Sequence, residues 1–578
     1  MLDLVIRNAT VIDGTGSAGF KADIAIEGDR IVAVGMVDKP AKREIDAAGK
    51  IAAPGFIDIH THYDAQVFWD RLISPSCFHG VTTIIGGNCG FSIAPLNGNA
   101  DDAAYLMRML ARVEGMPLES LQTGVPWNWT SFDDYLALLE GQLAINAGFM
   151  VGHSAIRRHV MGSRAVGEKA TEAEIADMQQ LLRASLAAGG FGFSSTVSPS
   201  HNDGEGNPVP SRHASDEEIY ALASVVGEFE GTAIEFLPNA MNRFDESQME
   251  RMTRVSLAAG RPLNWNVLLP DSTAKDRMEN QLAASDYAAK RGAKVYALAS
   301  CEPPISRLNF VAGFGFDGFP GWSGLFKMTL AERMEILAQP LVRRLLEEGA
   351  STASGVMQRM SNWGAWHLHE TFTEEYKAYE GKTLDELSES KGCSPFNAML
   401  DLVLADKLRT VLVPPVPGGD EESWLMRGAA WLDDRTIIGA SDAGAHLDML
   451  STFAFTTTVL GEGVRRRKLL TLEQAVHQLT GVPAAYLGLR GRGTIAPGMV
   501  ADIVVFDAAT IDCGPVHTRF DLPAGAARLY ADAEGIEHVI VNGTEIIRDG
   551  AFLGHHAGKI LRSGRDSATV SIPATKAA

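Results

Sequence analysis

The sequence predicts an α/β fold in which a (β/α)8 barrel of the TIM type is joined to a small β-sheet domain. Apolar strands and helical patterns alternate between residues 54 and 490, which is typical of a parallel sheet with helical crossovers. Counted from Phe56, the predicted strands number eight, as in a TIM barrel. Short strands separated by Gly and Asp turns occupy both ends of the chain, where they indicate a second, β-rich unit.

Length and composition limit the class of protein. A chain of 578 residues is long enough for more than one domain, and its 46% hydrophobic and 21% charged residues are typical of a soluble globular protein. The net charge of −20 argues against nucleic acid or an anionic membrane as a partner. Five scattered cysteines and the lack of a signal-peptide pattern or a bilayer-spanning run favour a cytoplasmic location.

The two β-rich ends are interpreted as one domain. Apolar and polar residues alternate in four stretches, at 4–14, 22–35, 501–507 and 538–543. We expect residues 1–53 and 491–560 to assemble into a single small β-domain. Residues 561–578, rich in Ser, Ala and Thr, are expected to be a C-terminal tail.

The middle of the chain, residues 54–490, is expected to form the barrel. After Phe56 the predicted strands lie at 82–86, 148–152, 191–194, 232–236, 263–268, 294–298 and 436–440. Helical patterns between them include 172–188, 216–228 and 246–259. The segment 303–430 is longer than a βα connection needs and is rich in aromatics, so we predict a lid-like insertion there.

Two histidines mark the end of the first predicted strand. His60 and His62 follow the apolar run that begins at Phe56. Residues i and i+2 of a strand face the same side, so the two imidazoles can converge on one point and bind Zn²⁺. Two unrelated loop histidines are the alternative for an isolated His-x-His. Active sites of such barrels lie at the carboxyl ends of the strands, which favours the metal site.

Two further strand ends carry groups that suit a metal. Cys89 lies between Asn88 and Gly90 after the second predicted strand, where a thiolate can bind zinc; a buried structural cysteine is the alternative. Asp442 follows the last predicted strand. Its carboxylate can bind the metal, take the proton of a metal-bound water and deliver that proton to a leaving nitrogen. A turn-capping role is the alternative for Asp442.

These motifs resemble the metal-dependent amidohydrolase superfamily. The resemblance rests on Pro-Gly-Phe-Ile-Asp-Ile-His-Thr-His at 54–62, on Asp442 and on 493–504. Segments 87–95, 152–157, 160–162 and 190–195 narrow it to the N-acyl-D-amino-acid deacylase (D-aminoacylase) group, in which a cysteine replaces the usual carboxylated lysine as a metal ligand. The resemblance implies a TIM barrel with a small β-sandwich domain, one or two Zn²⁺ ions and hydrolysis of an N-acyl amide.

The sequence departs from that group at the fifth and sixth strands, which normally supply one histidine each to the metals. Here they contain Glu235 and Asn266, whose oxygen atoms are harder ligands than imidazole. We infer either one metal held by His60, His62, Cys89 and Asp442, or a second site altered by Glu235.

Several polar residues near the predicted strand ends are candidates for substrate binding. They are His153, Arg157, His213, Asn266 and His446. Arg157 suits a substrate carboxylate through a bidentate pair, and an exposed salt bridge is the alternative. For His153 the alternative is packing beneath the barrel mouth. For His213 it is a place beside a helix start, because Ser215 and Glu218 form a capping-box pattern.

The sequence therefore predicts a metal-dependent amidohydrolase that cleaves a linear amide, above all an N-acyl-D-amino acid, with Asp442 as general acid and base. Hydrolysis of a cyclic amide, a carbamate or urea, or another xenobiotic amide on the same scaffold is the alternative activity. A metalloprotein without activity is a third interpretation, against which the joint presence of His60, His62, Cys89 and Asp442 argues. The expected partner is a small amide substrate, and assembly into a homo-oligomer is compatible with the sequence.

Overall fold

A nine-stranded sheet joins the two ends of the chain. The computed structural model describes residues 1–313, 315–354 and 356–572. Along the sheet the strands are ordered Ala551–Phe552, Thr544–Arg548, Ile536–Val541, Ile503–Phe506, Ile51–Pro54, Leu2–Val11, Phe20–Glu27 and Arg30–Gly35, and Ala41–Asp46 also pairs with Leu2–Val11. The antiparallel pairing of Ile503–Phe506 with Ile51–Pro54 connects the amino-terminal and carboxyl-terminal strands directly. Asp512–Cys513 pairs with Ala533–Glu534, and His517–Arg519 pairs with Arg528–Tyr530.

The middle of the chain forms two parallel sheets. One contains Phe56–Asp58, Val81–Gly86 and Asn146–Phe149, and the other contains Val151–Gly152, Gly192–Thr196, Ala233–Leu237, Leu263–Leu268, Val295–Ala299 and Thr436–Ile438. The strand predicted at 148–152 is thus divided at Met150, whose N–H donates to Gly86 O. At the other edges of the two sheets, Thr61 and Ala443 form a parallel bridge. Parallel strands connected by helices establish an α/β fold.

Helices lie between the parallel strands, and several of them begin at side-chain caps. They span Ala100–Val113, Leu118–Gly124, Phe132–Leu139, His153–Met161, Glu172–Ala187, Asp216–Val226, Glu246–Ala259, Lys275–Ala289, Glu421–Trp431, Phe455–Thr458, Leu472–Leu479 and Gly481–Leu487, with a π-helix at Val459–Arg466. Thr171 and Asp245 each accept a backbone N–H at the start of their helices. Gly260, in the left-handed region at φ 60°, ends the helix that begins after Asp245, because this conformation costs glycine little.

The segment predicted as an insertion, 303–430, has a hydrophobic core of its own. Its helices are Leu330–Leu337, Pro340–Ser351, Val356–Met360, Leu384–Lys391 and Pro395–Ala405, and its strands His367–Glu370 and Val411–Val413 pair antiparallel. Buried aromatic side chains that include Phe316, Trp322, Trp366 and Phe396 fill this core. Phe314 and Gly355 of the predicted insertion lie outside the described residues.

The predicted tail packs against the protein over the part that the structure describes. Leu561 is buried and its N–H donates to Ala147 O at 2.8 Å, and Ser567 Oγ donates to Gly231 O at 2.7 Å. Residues 573–578 of the tail lie outside the described residues. Within the described ranges, none of the helices has the length and apolar character needed to cross a membrane.

A buried histidine makes the stability of the fold depend on pH. His79 is fully buried, with Nδ1 2.7 Å from Thr457 Oγ1 and Nε2 3.1 Å from Ala531 O, and burial lowers its pKa from 6.5 to about 4. Between these values the unfolded chain binds a proton that the folded chain does not, so stability falls as the pH drops from about 6.5 towards 4. Between pH 7 and pH 5 we expect His79 to remove about 2 kcal/mol from the free energy of unfolding.

Urea unfolding at the two pH values tests this expectation. His79→Gln should show a smaller loss of stability between pH 7 and pH 5 than the wild type, whatever its stability at pH 7. His555→Gln, at an exposed histidine, is the control. An equal loss in His79→Gln and the wild type would contradict the assignment.

Candidate metal centre

His60 and His62 lie just beyond a strand rather than on it. The strand Phe56–Asp58 ends two residues before His60, which corrects the expectation that the two histidines belong to the strand. They nevertheless flank Thr61, whose N–H donates to Ile85 O at 3.0 Å and which bridges to Ala443. This local pairing keeps the i, i+2 relation, and the two imidazole centroids are 5.4 Å apart.

Cys89 completes a compact group of soft donors. One ligand atom from each of His60, His62 and Cys89 lies within 4.8 Å of the others, and all three side chains are buried. Cys89 has φ 55°, a left-handed conformation that costs roughly 1–2 kcal/mol for a residue with a Cβ. Its N–H donates to Glu235 Oε2 at 2.8 Å, which holds the backbone in this conformation. Strained backbone that is held in this way is common at functional sites.

Asp442 places a carboxylate between the two imidazoles. Its Oδ1 is 3.3 Å from His60 Nε2 and 3.2 Å from His62 Nε2. Burial would raise the pKa of Asp442, but its hydrogen bonds and charge interactions with the two histidines hold that pKa well below its usual range. Ser441 fixes this loop, because its Oγ lies within hydrogen-bond distance of two acceptors, Asp58 Oδ2 at 2.7 Å and His60 O at 2.9 Å. The carboxylate therefore stays charged at the centre of the cluster.

The donor set fits a zinc ion. Two imidazoles, a thiol and a carboxylate are the ligand types that zinc prefers. Among the described residues, His62 Nε2, which faces Asp442 Oδ1 at 3.2 Å, is buried without a hydrogen bond of good geometry. Buried polar atoms normally have partners, so this nitrogen is consistent with a bound cation. His60, His62, Cys89 and Asp442 are thus the residues that could hold the metal.

Glu235 and Asn266 lie in the layer next to this cluster. Asn266 Nδ2 is 3.3 Å from His60 Nε2 and 3.6 Å from Cys89 Sγ. Glu235 is fully buried, and burial raises its pKa to about 8. Its Oε1 has no hydrogen-bond partner in the part of the chain that the structure describes. Glu235 and Asn266 therefore support Cys89, and Glu235 Oε1 remains available at the site.

The structure adds two residues that the sequence reasoning missed. Glu114, at the end of the helix Ala100–Val113, is buried with Oε1 3.6 Å from His62 Nδ1, and burial raises its pKa to about 7. A carboxylate beside a metal-binding histidine orients the ring and raises its basicity. His201 follows the strand Gly192–Thr196, and burial and the charge of His62 lower its pKa to about 3. The position of His201 shortly after the end of a strand was the feature of the sequence that could have identified it.

His153 and Arg157 belong to a buried ion-pair network. Both are fully buried; His153 Nε2 lies 2.9 Å from Glu218 Oε1, and Arg157 Nη1 donates to Glu218 Oε2. Ser215 caps its helix through the Glu218 N–H, but the Glu218 carboxylate binds the His153 ring and the Arg157 guanidinium instead of closing the predicted capping box. The charge of Arg157 is thus matched inside the protein, which corrects the expectation that it awaits a substrate carboxylate.

Removing the charge of Glu218 should destabilise the fold. We expect Glu218→Gln to lower the free energy of unfolding by about 3 kcal/mol, because Arg157 would remain buried without a counter-charge. The control Glu217→Gln changes an exposed neighbour and should cost less than about 0.5 kcal/mol. Urea unfolding of both variants measures the difference, and equal stabilities would show that Glu218 does not compensate Arg157.

The remaining predicted residues, His213 and His446, differ in their contacts. His213 ends the 3-10 helix Pro210–His213, and its Nε2 is 3.2 Å from Pro208 O. His446 lies four residues after Asp442, and its N–H donates to Glu114 O. Burial lowers the pKa of His446, and the charge of Asp442 opposes that shift. His446 is thus close to the cluster, whereas the His213 ring contacts its own loop.

Comparison with known proteins identifies the family. Residues 43–547 match the family described as the amidohydrolase family. The chain is 30% identical over 568 residues to D-aminoacylase of Alcaligenes xylosoxydans xylosoxydans, a match that covers 97% of each chain. A solved D-aminoacylase structure, described by its binuclear metal centre with one-metal activation and second-metal attenuation, is similar with a TM-score of 0.64 and 28% identity, over 97% of this chain and 100% of that one.

A second solved structure adds a relative with a ligand. N-acyl-D-glutamate deacylase from Bordetella bronchiseptica, complexed with zinc and a phosphonate mimic of the tetrahedral intermediate, has a TM-score of 0.63 and 25% identity, over 97% of this chain and 100% of that one. These findings confirm the resemblance that the motifs indicated. The chain belongs to the amidohydrolase family and is a metal-dependent hydrolase that acts on C–N bonds.

Proposed function

We propose that this enzyme hydrolyses the amide bond of N-acyl-D-amino acids and releases a carboxylate and a free amino acid. The observation that carries the proposal is the carboxylate of Asp442 between the imidazoles of His60 and His62, with the Cys89 thiol beside them. Relatives similar over almost the whole chain include D-aminoacylase and N-acyl-D-glutamate deacylase. A fold alone does not determine the substrate, so the proposed substrate class rests on the geometry of the site together with the similarity to these relatives.

We infer that His60, His62, Cys89 and Asp442 hold one Zn²⁺ ion. When bound, zinc supplies a Lewis acid and lowers the pKa of water to about 7. Glu235 holds the backbone of Cys89, and Glu114 faces the outer nitrogen of His62. Both carboxylates therefore act on ligands in this proposal, and neither is assigned to a second metal position.

Asp442 is the residue to which we assign proton transfer. Its Oδ1 lies 3.3 Å from His60 Nε2 and 3.2 Å from His62 Nε2, which places a carboxylate that can accept a proton at the centre of the cluster. With 28% of its side chain exposed, it is also the member of the cluster that faces incoming molecules. The same oxygen can then deliver the proton to the departing amine nitrogen, which needs it to leave as a neutral amine.

A panel of amides tests the proposed substrate class. Zinc-loaded enzyme is assayed with the D- and L-forms of N-acyl amino acids, and in parallel with hydantoins and aryl amides. Release of free amino acid from the D-forms is the expected result. Turnover of the hydantoins or aryl amides without turnover of N-acyl amino acids would replace the proposal by the cyclic-amide or xenobiotic alternative.

We further propose that the two parallel sheets close into a (β/α)8 barrel, with residues 54–490 as the barrel domain and 1–53 with 491–560 as a β-sandwich domain. The Thr61–Ala443 bridge and the Met150 N–H to Gly86 O bond, at opposite edges of the two sheets, support closure. In this division 303–430 is a lid-like insertion. The cytoplasmic location stays a prediction from the sequence.

A further inference from the structure

A cavity away from the metal centre is lined by charged and apolar side chains. Its volume is about 360 Å³, which is within the range of ligand pockets. Residues 302–307, just after the strand Val295–Ala299, form one wall, and the other walls come from 416–424, 451–466 and 512–516. The residues assigned to the metal are all described by the structure, and none of them is in this lining. The cavity is therefore a separate place in the molecule.

Arg307 brings a buried guanidinium to the cavity. Arg307 is 8% exposed, its Nη1 donates to Ser451 Oγ at 3.0 Å, and its Nε lies 3.2 Å from His369 Nε2. Burial and the charge of Arg307 lower the pKa of His369 to about 4, so this ring is neutral at pH 7. Both contacts are thus uncharged, and within the described ranges no carboxylate lies within 4 Å of the guanidinium. Arg307 is a buried cation at the cavity without an ion-pair partner.

A second buried arginine lies behind the same cavity. Arg427 is fully buried, and its Nε and Nη1 have no hydrogen-bond partner among the described residues. Its guanidinium lies 4.5 Å from the ring centroid of Trp424, which lines the cavity. Burial raises the pKa of Glu302, another lining residue, and the charges of Arg307 and Arg427 oppose that shift. Two buried cations therefore act on one carboxylate, although buried charges are normally matched.

The other carboxylates of the lining already have partners. Glu462 and Asp512 both contact Arg466, which also lines the cavity. A cation that enters the cavity would find these acids occupied, whereas an anion would meet the guanidinium of Arg307. Arginine and a carboxylate form strong, often bidentate hydrogen bonds, so a carboxylate suits this position.

We propose that this cavity is a binding site for a small monocarboxylate, which pairs with Arg307. The hydrocarbon part of the ligand contacts the apolar side chains of the lining, Ile305, Val416 and Val516. A dianion such as phosphate fits less well, because Glu302 and the two paired acids repel its second charge. The proposal concerns a site apart from the metal and does not rest on the proposed function.

Calorimetric titration of the zinc-loaded enzyme with butyrate tests the site. We expect butyrate to bind, and butyramide, which has the same shape without the charge, to bind at least about tenfold more weakly. Inorganic phosphate should also bind more weakly than butyrate. Absence of butyrate binding, equal binding of butyramide or tighter binding of phosphate would each overturn the assignment to a monocarboxylate.

Two changes in the lining test where the ligand binds. Val416→Trp fills the cavity and leaves Arg307 in place, so the Kd for butyrate should rise by at least about tenfold. Arg307→Met removes the charge and should raise the Kd by a similar factor. Val32→Trp, at a residue that is 42% exposed in the strand Arg30–Gly35, is the control and should leave the Kd unchanged. Equal Kd values in Val416→Trp and Val32→Trp would overturn the cavity assignment, even if Arg307→Met does not fold.

Binding of the carboxylate at the metal centre is the alternative that a further variant separates. Cys89→Ala lacks a residue assigned to the metal and should still bind butyrate at the cavity with the Kd of the wild type. The opposite pattern, with binding lost in Cys89→Ala and kept in Val416→Trp, would place the carboxylate at the metal and contradict the inference. None of these titrations needs turnover, so failure of the proposed function would leave their outcome unchanged.

Discussion

Replacing Asp442 by Asn is expected to lower kcat by about 10³-fold while most of the metal stays bound. General acid–base catalysis contributes about 10²- to 10⁴-fold, and an amide cannot accept and return a proton as the carboxylate can. The Asn oxygen would still lie where Oδ1 now sits, close to both His60 Nε2 and His62 Nε2. The effect should therefore appear in kcat rather than in metal content.

Elemental analysis and steady-state kinetics on the same preparation separate these two effects. Asp434→Asn is the control, because it removes an exposed carboxylate eight residues before Asp442 and should leave both quantities unchanged. An Asp442→Asn enzyme with nearly full activity would exclude the acid–base assignment. A variant that has lost its metal would instead assign Asp442 mainly to metal binding.

Replacing Cys89 by Ala is expected to weaken zinc binding by more than about 100-fold and to abolish activity with it. Loss of a residue that only supports a ligand costs about 10- to 100-fold in metal affinity, and loss of the thiolate ligand itself should cost more. Cys89 Sγ lies 3.5 Å from His60 Nε2. Among the described residues, Cys89 is the cysteine that belongs to the cluster, so its loss leaves the cluster without a sulfur ligand.

The control for this experiment is Cys77→Ala. Cys77 is equally buried but lies in the hydrophobic core, so its replacement should cost packing energy without changing zinc affinity. Competition with a chromophoric chelator measures the affinity of both variants. Zinc binding by Cys89→Ala as tight as that of the wild type would remove the thiol from the proposed ligand set.

The sequence was most informative where local patterns decide the structure. The helix Glu246–Ala259 has the bounds that its helical pattern predicted, and the structure places a capping Asp before it and a glycine after it. The bounds of the strand Leu263–Leu268 likewise match those predicted, and its sequence alternates Leu263, Trp265 and Val267 with Asn264 and Asn266. The order of strands and helices followed from the same local patterns. The family motifs indicated the amidohydrolase family, which the periodicity of apolar residues alone does not identify.

Residues whose roles depend on distant partners could not be assigned in this way. Arg157 resembles a free cation until the fold brings Glu218, which is 61 positions away, against it. Glu114 resembles a solvated helix end, yet packing buries it beside His62. His60 and His62 were expected on the strand but lie just beyond it, where the bridge of Thr61 to Ala443, which holds both rings on one side, joins segments far apart in the chain.

The metal content of the wild-type enzyme tests the central claim most directly. The zinc content of protein purified without chelators is measured by elemental analysis and divided by the protein concentration. A single site held by His60, His62, Cys89 and Asp442 predicts about one zinc ion per chain. About two ions per chain would contradict the single site and implicate Glu235 in a second one, and protein without metal that gains none on zinc addition would contradict the whole account.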